Sequence, residues 1–169
     1  MKVAALVGAN HAHQYPGNPH GRSDLFASFL IAQAKSLGVD LIAEEMSLAA
    51  LEMAKVKQST VQVVAQSLHI PHLFCDPNES EREALGIPSY EELKKLRKIE
   101  HVFGAEEQLL LADEKGYWPV REREWLTRLG KTRHNKVLFV HGPDHSSALA
   151  QLLEANNYEV QVLFQRWDA

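Results

Sequence analysis

Five short apolar runs, each separated from the next by segments of helical character, predict a three-layer α/β/α fold: a mainly parallel sheet of about five strands with helices on both faces and a helical insertion. Three observations carry this. The runs KVAALVG, VDLIAEE, HLFCD, KVLFVHG and YEVQVLFQ are nearly continuous in apolar residues, as in strands buried on both faces. Helix-length stretches with recognisable start and stop residues lie between them, which a parallel crossover requires. The chain of 169 residues shows no internal repeat, low-complexity segment or linker, so residues 1–169 read as a single α/β domain.

Taken in order, residues 2–8 are the first strand, closed by Gly8. Residues 9–22, ANHAHQYPGNPHGR, form a long loop of a kind more often functional than filler. Ser23 is expected to cap the helix DLFASFLIAQAKSLG, and Gly38 to stop it. The second strand spans 39–45. MSLAALEMAKVK reads as helical, and Ser59 or Thr60 caps TVQVVAQSLHI. The third strand, 72–76, ends at Asp76. Residues of about 79–130 read as a helical insertion covering one end of the sheet. It holds a short piece in DPNESEREALGI, then SYEELKKLRKIEHVFG, AEEQLLLADEKG and REREWLTRL. KVLFVHG is the fourth strand, PDHSSALAQLLEANN the helix after it, and YEVQVLFQ the fifth strand, expected at a sheet edge where it would pair with a second copy to make a homodimer.

Composition narrows the function classes. Net charge is −4 with no basic run, which argues against a dedicated nucleic-acid binder. The single cysteine, Cys75, implies no oxidising compartment and reads as a small buried apolar residue. The first residues are not expected to form a signal peptide, and no apolar run approaches the roughly 20 residues that span a bilayer. The expected location is the cytoplasm, without membrane contact. There is no phosphate-binding glycine loop, paired CxxC, HExxH or G-x-S-x-G elbow.

In a parallel α/β sheet, ligands bind outside the carboxyl ends of the strands. Every one of the first four strand ends is titratable here: His11 and His13 after the first, Glu44 and Glu45 at the second, Asp76 at the third, and His141, Asp144 and His145 at the fourth. Of two adjacent carboxylates on a strand, only one points to a given side. One of Glu44 and Glu45 can therefore reach the crevice and orient water, act as general base or bind metal. His145 falls near the first turn of a helix, which favours the neutral imidazole that serves as base or metal ligand. Asp144 reads as a helix cap. Arg121, in R-E-R-E-W, can hold an anionic group or orient a glutamate.

Together, G-x-x-H from Gly8 to His11, Glu44-Glu45 ending the second strand, R-E-x-E-W from Arg121 to Trp125, and G-x-x-H from Gly142 to His145 resemble, in that order, the TraB/ChaN/erythromycin-esterase-like superfamily. The resemblance implies an α/β protein with glutamates and histidines at its strand ends. Some members of that group are hydrolases, metal-dependent in one branch, and another branch binds haem. It implies His11, Glu44 or Glu45, Arg121 and His145 as site residues. This chain is shorter than typical members, and residues 79–130 supply no second glutamate-rich strand.

The expectation is a small hydrolase acting on a small-molecule or peptide substrate. His11, Glu44, Glu45 and His145 would be catalytic, and His13, Asp76, Arg121 and His141 would bind substrate. A divalent metal, where one takes part, would sit on His11, Glu45 and His145. The alternative is a non-catalytic domain binding a nucleotide-like ligand or haem in the same crevice.

Overall fold

The computed structural model describes residues 1–168. The chain runs β1 (Lys2–Ala9), a 3-10 turn (His11–Gln14), α1 (Ser23–Leu37), β2 (Leu41–Glu44), α2 (Leu48–Met53), α3 (Thr60–Ser67) and β3 (His72–Phe74). It continues through α4 (Glu79–Ala84), α5 (Tyr90–Arg97), α6 (Ala105–Lys115) and α7 (Trp118–Gly130). It ends with β4 (Lys136–His141), a second 3-10 turn (Pro143–His145), α8 (Ser146–Glu154) and β5 (Tyr158–Trp167).

The five strands form one sheet in the order β3-β2-β4-β1-β5, and every pairing is parallel. The fold is the α/β architecture that the apolar runs predict. Alternation along β1 sends Ala5 and Val7 to one face and Ala4 and Leu6 to the other. The first face packs on Phe26, Leu30 and Ala34 of α1 and Val61, Val64 and Ala65 of α3. The second packs on Trp125 and Leu129 of α7 and Leu149 and Leu153 of α8. Each fully buried large side chain stabilises the fold by roughly 1.5–3 kcal/mol, so these two layers hold the sheet between them.

Several local expectations change. Helix α7 is a layer helix with Trp125 and Leu129 fully buried, so the segments outside the alternating pattern are α4 to α6. Ser23 does not cap α1; it is the first helical residue, and the cap position is Arg22, which makes no side-chain bond. Asp144 caps nothing and is exposed, because a 3-10 turn inserts it before α8 begins. Helix α5 stops at Lys98 in the left-handed conformation, well short of Gly104. Ser59 does cap α3, accepting from the Gln62 backbone N–H at 2.9 Å.

Strand β5 lies at the sheet edge. Its pairing with β1 shifts register between Leu6 and Val7 and again between Val7 and Ala9. Such bulges turn an edge away from strand addition. Among the described residues, no helix is long and apolar enough to cross a membrane.

Candidate functional site

Strands β2, β4 and β1 are neighbours, so their carboxyl ends lie side by side. Helix α1, which follows β1, packs on one face of the sheet, and α8, which follows β4, packs on the other. Adjacent strands whose connections leave to opposite faces open a crevice between their ends. Three segments project side chains into it: the turn after β1 gives His11, the residue after β2 gives Glu45, and the turn after β4 gives His145.

These three groups meet over Gly142. The Nε2 atoms of His11 and His145 lie 3.8 and 3.6 Å from Oε1 of Glu45. The Gly142 backbone N–H donates to Oε2 of the same carboxylate at 2.7 Å. A side-chain carbon on Gly142 would lie 3.2 Å from Glu45 Oε2, 3.3 Å from His11 Nε2 and 3.6 Å from His145 Cδ2. Glycine lets these three side chains crowd together over the strand end, where a Cβ would be a tight fit. Gly8 has a related role, since a Cβ there would fall 2.0 Å from the Gln165 carbonyl oxygen where β5 passes.

Both imidazoles are oriented by acceptors behind them. His145 Nδ1 lies 2.7 Å from Glu122 Oε1, so Nδ1 carries the proton and Nε2 of the neutral ring presents a lone pair to the crevice. For His11 the same result comes through a relay. Gln14 Nε2 donates to Glu44 Oε2 at 2.8 Å, which turns the amide oxygen toward His11 Nδ1, 2.6 Å away. His11 therefore also holds its proton on Nδ1 and offers Nε2. The turn carrying His11 is itself fixed at both ends: Asn10 Oδ1 accepts from the Ala12 N–H at 2.9 Å, and Thr60 Oγ1 donates to the His13 carbonyl at 2.9 Å.

The two adjacent glutamates separate as strand alternation requires. Glu45 faces the crevice. Glu44 points into the α1/α3 layer, fully buried, where it accepts from Gln14, from Ser59 Oγ and from His72 Nε2 at 2.8 Å. It reaches the crevice only through Gln14, and so positions His11 and does not touch a substrate.

Arg121, Asp76, His13 and His141 also lie behind the crevice. Arg121 is buried, donating to Glu45 Oε1 at 2.7 Å and to Asp76 Oδ1 at 2.8 and 3.0 Å. Asp76 also accepts from Trp125 Nε1 at 3.2 Å and from Arg82. Burial opposes ionisation of Asp76, but the Arg121 and Arg82 guanidiniums overcome it and hold its carboxyl below the ordinary range. His13 turns away, accepting the Arg22 N–H at 3.0 Å and setting its ring edge-on to Trp167. Burial lowers the His13 pKa. His141 is fully enclosed; its Nδ1 lies 2.8 Å from the Gly142 carbonyl oxygen and its Nε2 has no partner. Burial keeps His141 neutral by lowering its pKa. None of the four is placed to touch a substrate directly.

Three contributors were not singled out in the sequence: Gln14, Glu122 and Trp118. The Trp118 ring packs against that of His145, with ring centres 4.3 Å apart. Glu122 had a readable signal. Residues 118, 121, 122, 125 and 129 make one helical stripe, and two charges on a stripe with Trp125 and Leu129 must be buried and paired. Gln14 carries no such signal.

His11 and His145 with Glu45 form a donor set that suits a transition metal by type. As arranged, they do not fit one. Glu45 Oε1, the oxygen between the imidazoles, already accepts from Arg121 at 2.7 Å, which would set a guanidinium against any cation bound there. Among the described residues, no group of three His, Cys, Asp or Glu side chains is arranged to hold a metal ion. No family model, curated protein or solved structure matches this chain.

Proposed function

We propose that this domain is a small hydrolase that activates water between His11 and His145 without a metal, within the TraB/ChaN/erythromycin-esterase-like group whose motifs it resembles. The observation that carries the reading is the meeting over Gly142. His11 Nε2, Glu45 Oε2 and His145 Cδ2 all lie within 3.6 Å of one point, the place a side-chain carbon on Gly142 would take.

Each group has a separate task. His145 Nε2 takes a proton from water as the water oxygen attacks the substrate's acyl carbon. Glu122, buried against Nδ1, stabilises the imidazolium that forms. Glu45, held by Arg121 and the Gly142 N–H, orients the water as an acceptor. His11, whose side chain is 46% exposed where the other two are nearly covered, faces the side from which a leaving group departs. In its protonated form it gives its Nε2 proton to the leaving oxygen or nitrogen as the acyl bond breaks. One water is consumed, and the proton gained at His145 balances the one lost from His11.

The ligand-binding alternative has less to draw on. The crevice is polar and carries two histidines, while two surface grooves lie elsewhere, one of about 520 Å³ beside α2 and one of about 540 Å³ between α5 and α6.

The test is a panel of aryl esters and aminoacyl anilides, neutral and anionic, assayed with the parent chain and with His145→Ala and His11→Ala. The expected result is turnover that falls about 10²–10⁴-fold in either variant. Turnover unchanged in His145→Ala would overturn the proposal.

A further inference from the structure

We infer that the mouth of this crevice is an anion subsite, formed by Lys115 and Arg166, that receives a carboxylate or phosphate group of the substrate. The inference deepens the hydrolase reading by naming the substrate class, and it rests on that reading only for the word substrate.

The rim is assembled from three distant segments: the end of α6, the turn after β4, and the end of β5. Lys115 Nζ lies 4.0 Å from Asp144 Oδ2, and Arg166 Nη2 lies 3.6 Å from Asp144 Oδ1. Asp144 directly precedes His145 in the chain. Lys115 Nζ also stands 5.1 Å from the centre of the Trp118 ring, the same ring that lies 4.3 Å from His145. Lys115 thus stands against the ring that packs on the imidazole assigned to activate water, and Arg166 joins it through Asp144, the residue before that histidine.

One carboxylate between two cations leaves an excess of one positive charge. Neither contact is a hydrogen bond, since both exceed the usual range. The three side chains are 44%, 65% and 56% exposed, so an incoming anion can reach the cations and displace Asp144. A carboxylate or phosphate that accepts from both Lys115 and Arg166 would satisfy donors that Asp144 holds only at a distance. The buried arginines do not serve the purpose: Arg121 is already taken by Glu45 and Asp76.

The test follows the His145 imidazole signals of the full chain by NMR while inorganic phosphate, and separately acetate, is titrated at fixed pH and ionic strength. The expected result is a saturable shift with at least one of the two anions. It should be at least fivefold tighter in Asp144→Asn and lost in Lys115→Ala/Arg166→Ala. Phosphate alone saturating points to a phosphorylated substrate, and acetate saturating points to a carboxylate. A shift that does not saturate, or one with the same affinity in the double variant, would overturn the subsite. Anion binding in a chain inactive on the whole panel would sink the hydrolase reading and leave the subsite standing. Turnover of esters bearing a carboxylate or phosphate group, untouched by the double variant, would do the reverse.

Discussion

His145 Nδ1 lies 2.7 Å from Glu122 Oε1, and both side chains are almost wholly buried. A carboxylate in that position fixes both the tautomer and the direction of the ring, so that Nε2 is presented to Glu45. Glu122→Gln keeps the shape but loses the charge that would balance an imidazolium. Turnover on any substrate found should fall about 10²-fold or more, with KM changed far less. Circular dichroism and melting should show a folded chain. Equal loss in kcat and gain in KM would instead make Glu122 a packing residue.

Gly142→Ala tests the close approach of the three side chains over the strand end. Its φ of −62° suits alanine, so the backbone carries no penalty. The new methyl would meet Glu45 Oε2 at 3.2 Å and His11 Nε2 at 3.3 Å. Melting temperature should drop by no more than about 2–4 °C, a cost of about 1 kcal/mol in a domain of this size. Turnover should be abolished. Gly130→Ala, which meets nothing within 4 Å at the end of α7, should change neither.

Glu44 and Glu45 should divide stability from activity. Glu44→Gln sets an amide NH₂ against donors from Ser59, His72 and Gln14, and should cost about 1–3 kcal/mol in urea unfolding. It should also release His11, seen as a change in its imidazole nitrogen shifts. Glu45→Gln leaves Arg121 paired with Asp76. It should lose turnover out of proportion to its smaller effect on stability.

Acid should destabilise the fold in two stages. The pKa values of His13, His134 and His141 are lowered below 6.5, chiefly by burial. Between their folded values and 6.5 the unfolded chain binds more protons, so stability is full above about pH 6.5 and declines as pH falls below it. Asp76 is held below its ordinary value of 3.8, so its contribution is present above that pH and lost on further acidification. Melting curves from pH 8 to pH 3 should show both declines. A midpoint constant from pH 7 to pH 5 would contradict the first.

Metal content separates the two forms of the hydrolase. Freshly purified chain, and chain dialysed against zinc, manganese or cobalt, should carry well under one metal per molecule, because Arg121 already occupies the oxygen of Glu45 nearest the imidazoles. Stoichiometric metal that disappears in His11→Ala/His145→Ala would establish the metal-assisted form.

The parallel α/β fold was legible because it follows from local pattern. Continuous apolar runs such as VLFV can be buried only inside a covered sheet, and caps such as Ser59 declare where the next helix begins. The same reasoning located His11, Glu45 and His145, since strand ends in such a sheet face one crevice. Alternation also required Glu44 and Glu45 to face opposite ways, but a period of two does not say which side is the crevice. That was decided by partners far along the chain: Arg121 on one side, and Gln14, Ser59 and His72 on the other. Arg121 and Asp76 read as substrate binders because their charge is visible in sequence and their burial against each other is not. A sequence displays which groups can ionise and roughly where they sit on their own element. Which of them meet, and which are shielded from water, depends on packing between segments as distant in the chain as His11 and His145, and only the tertiary structure fixes that.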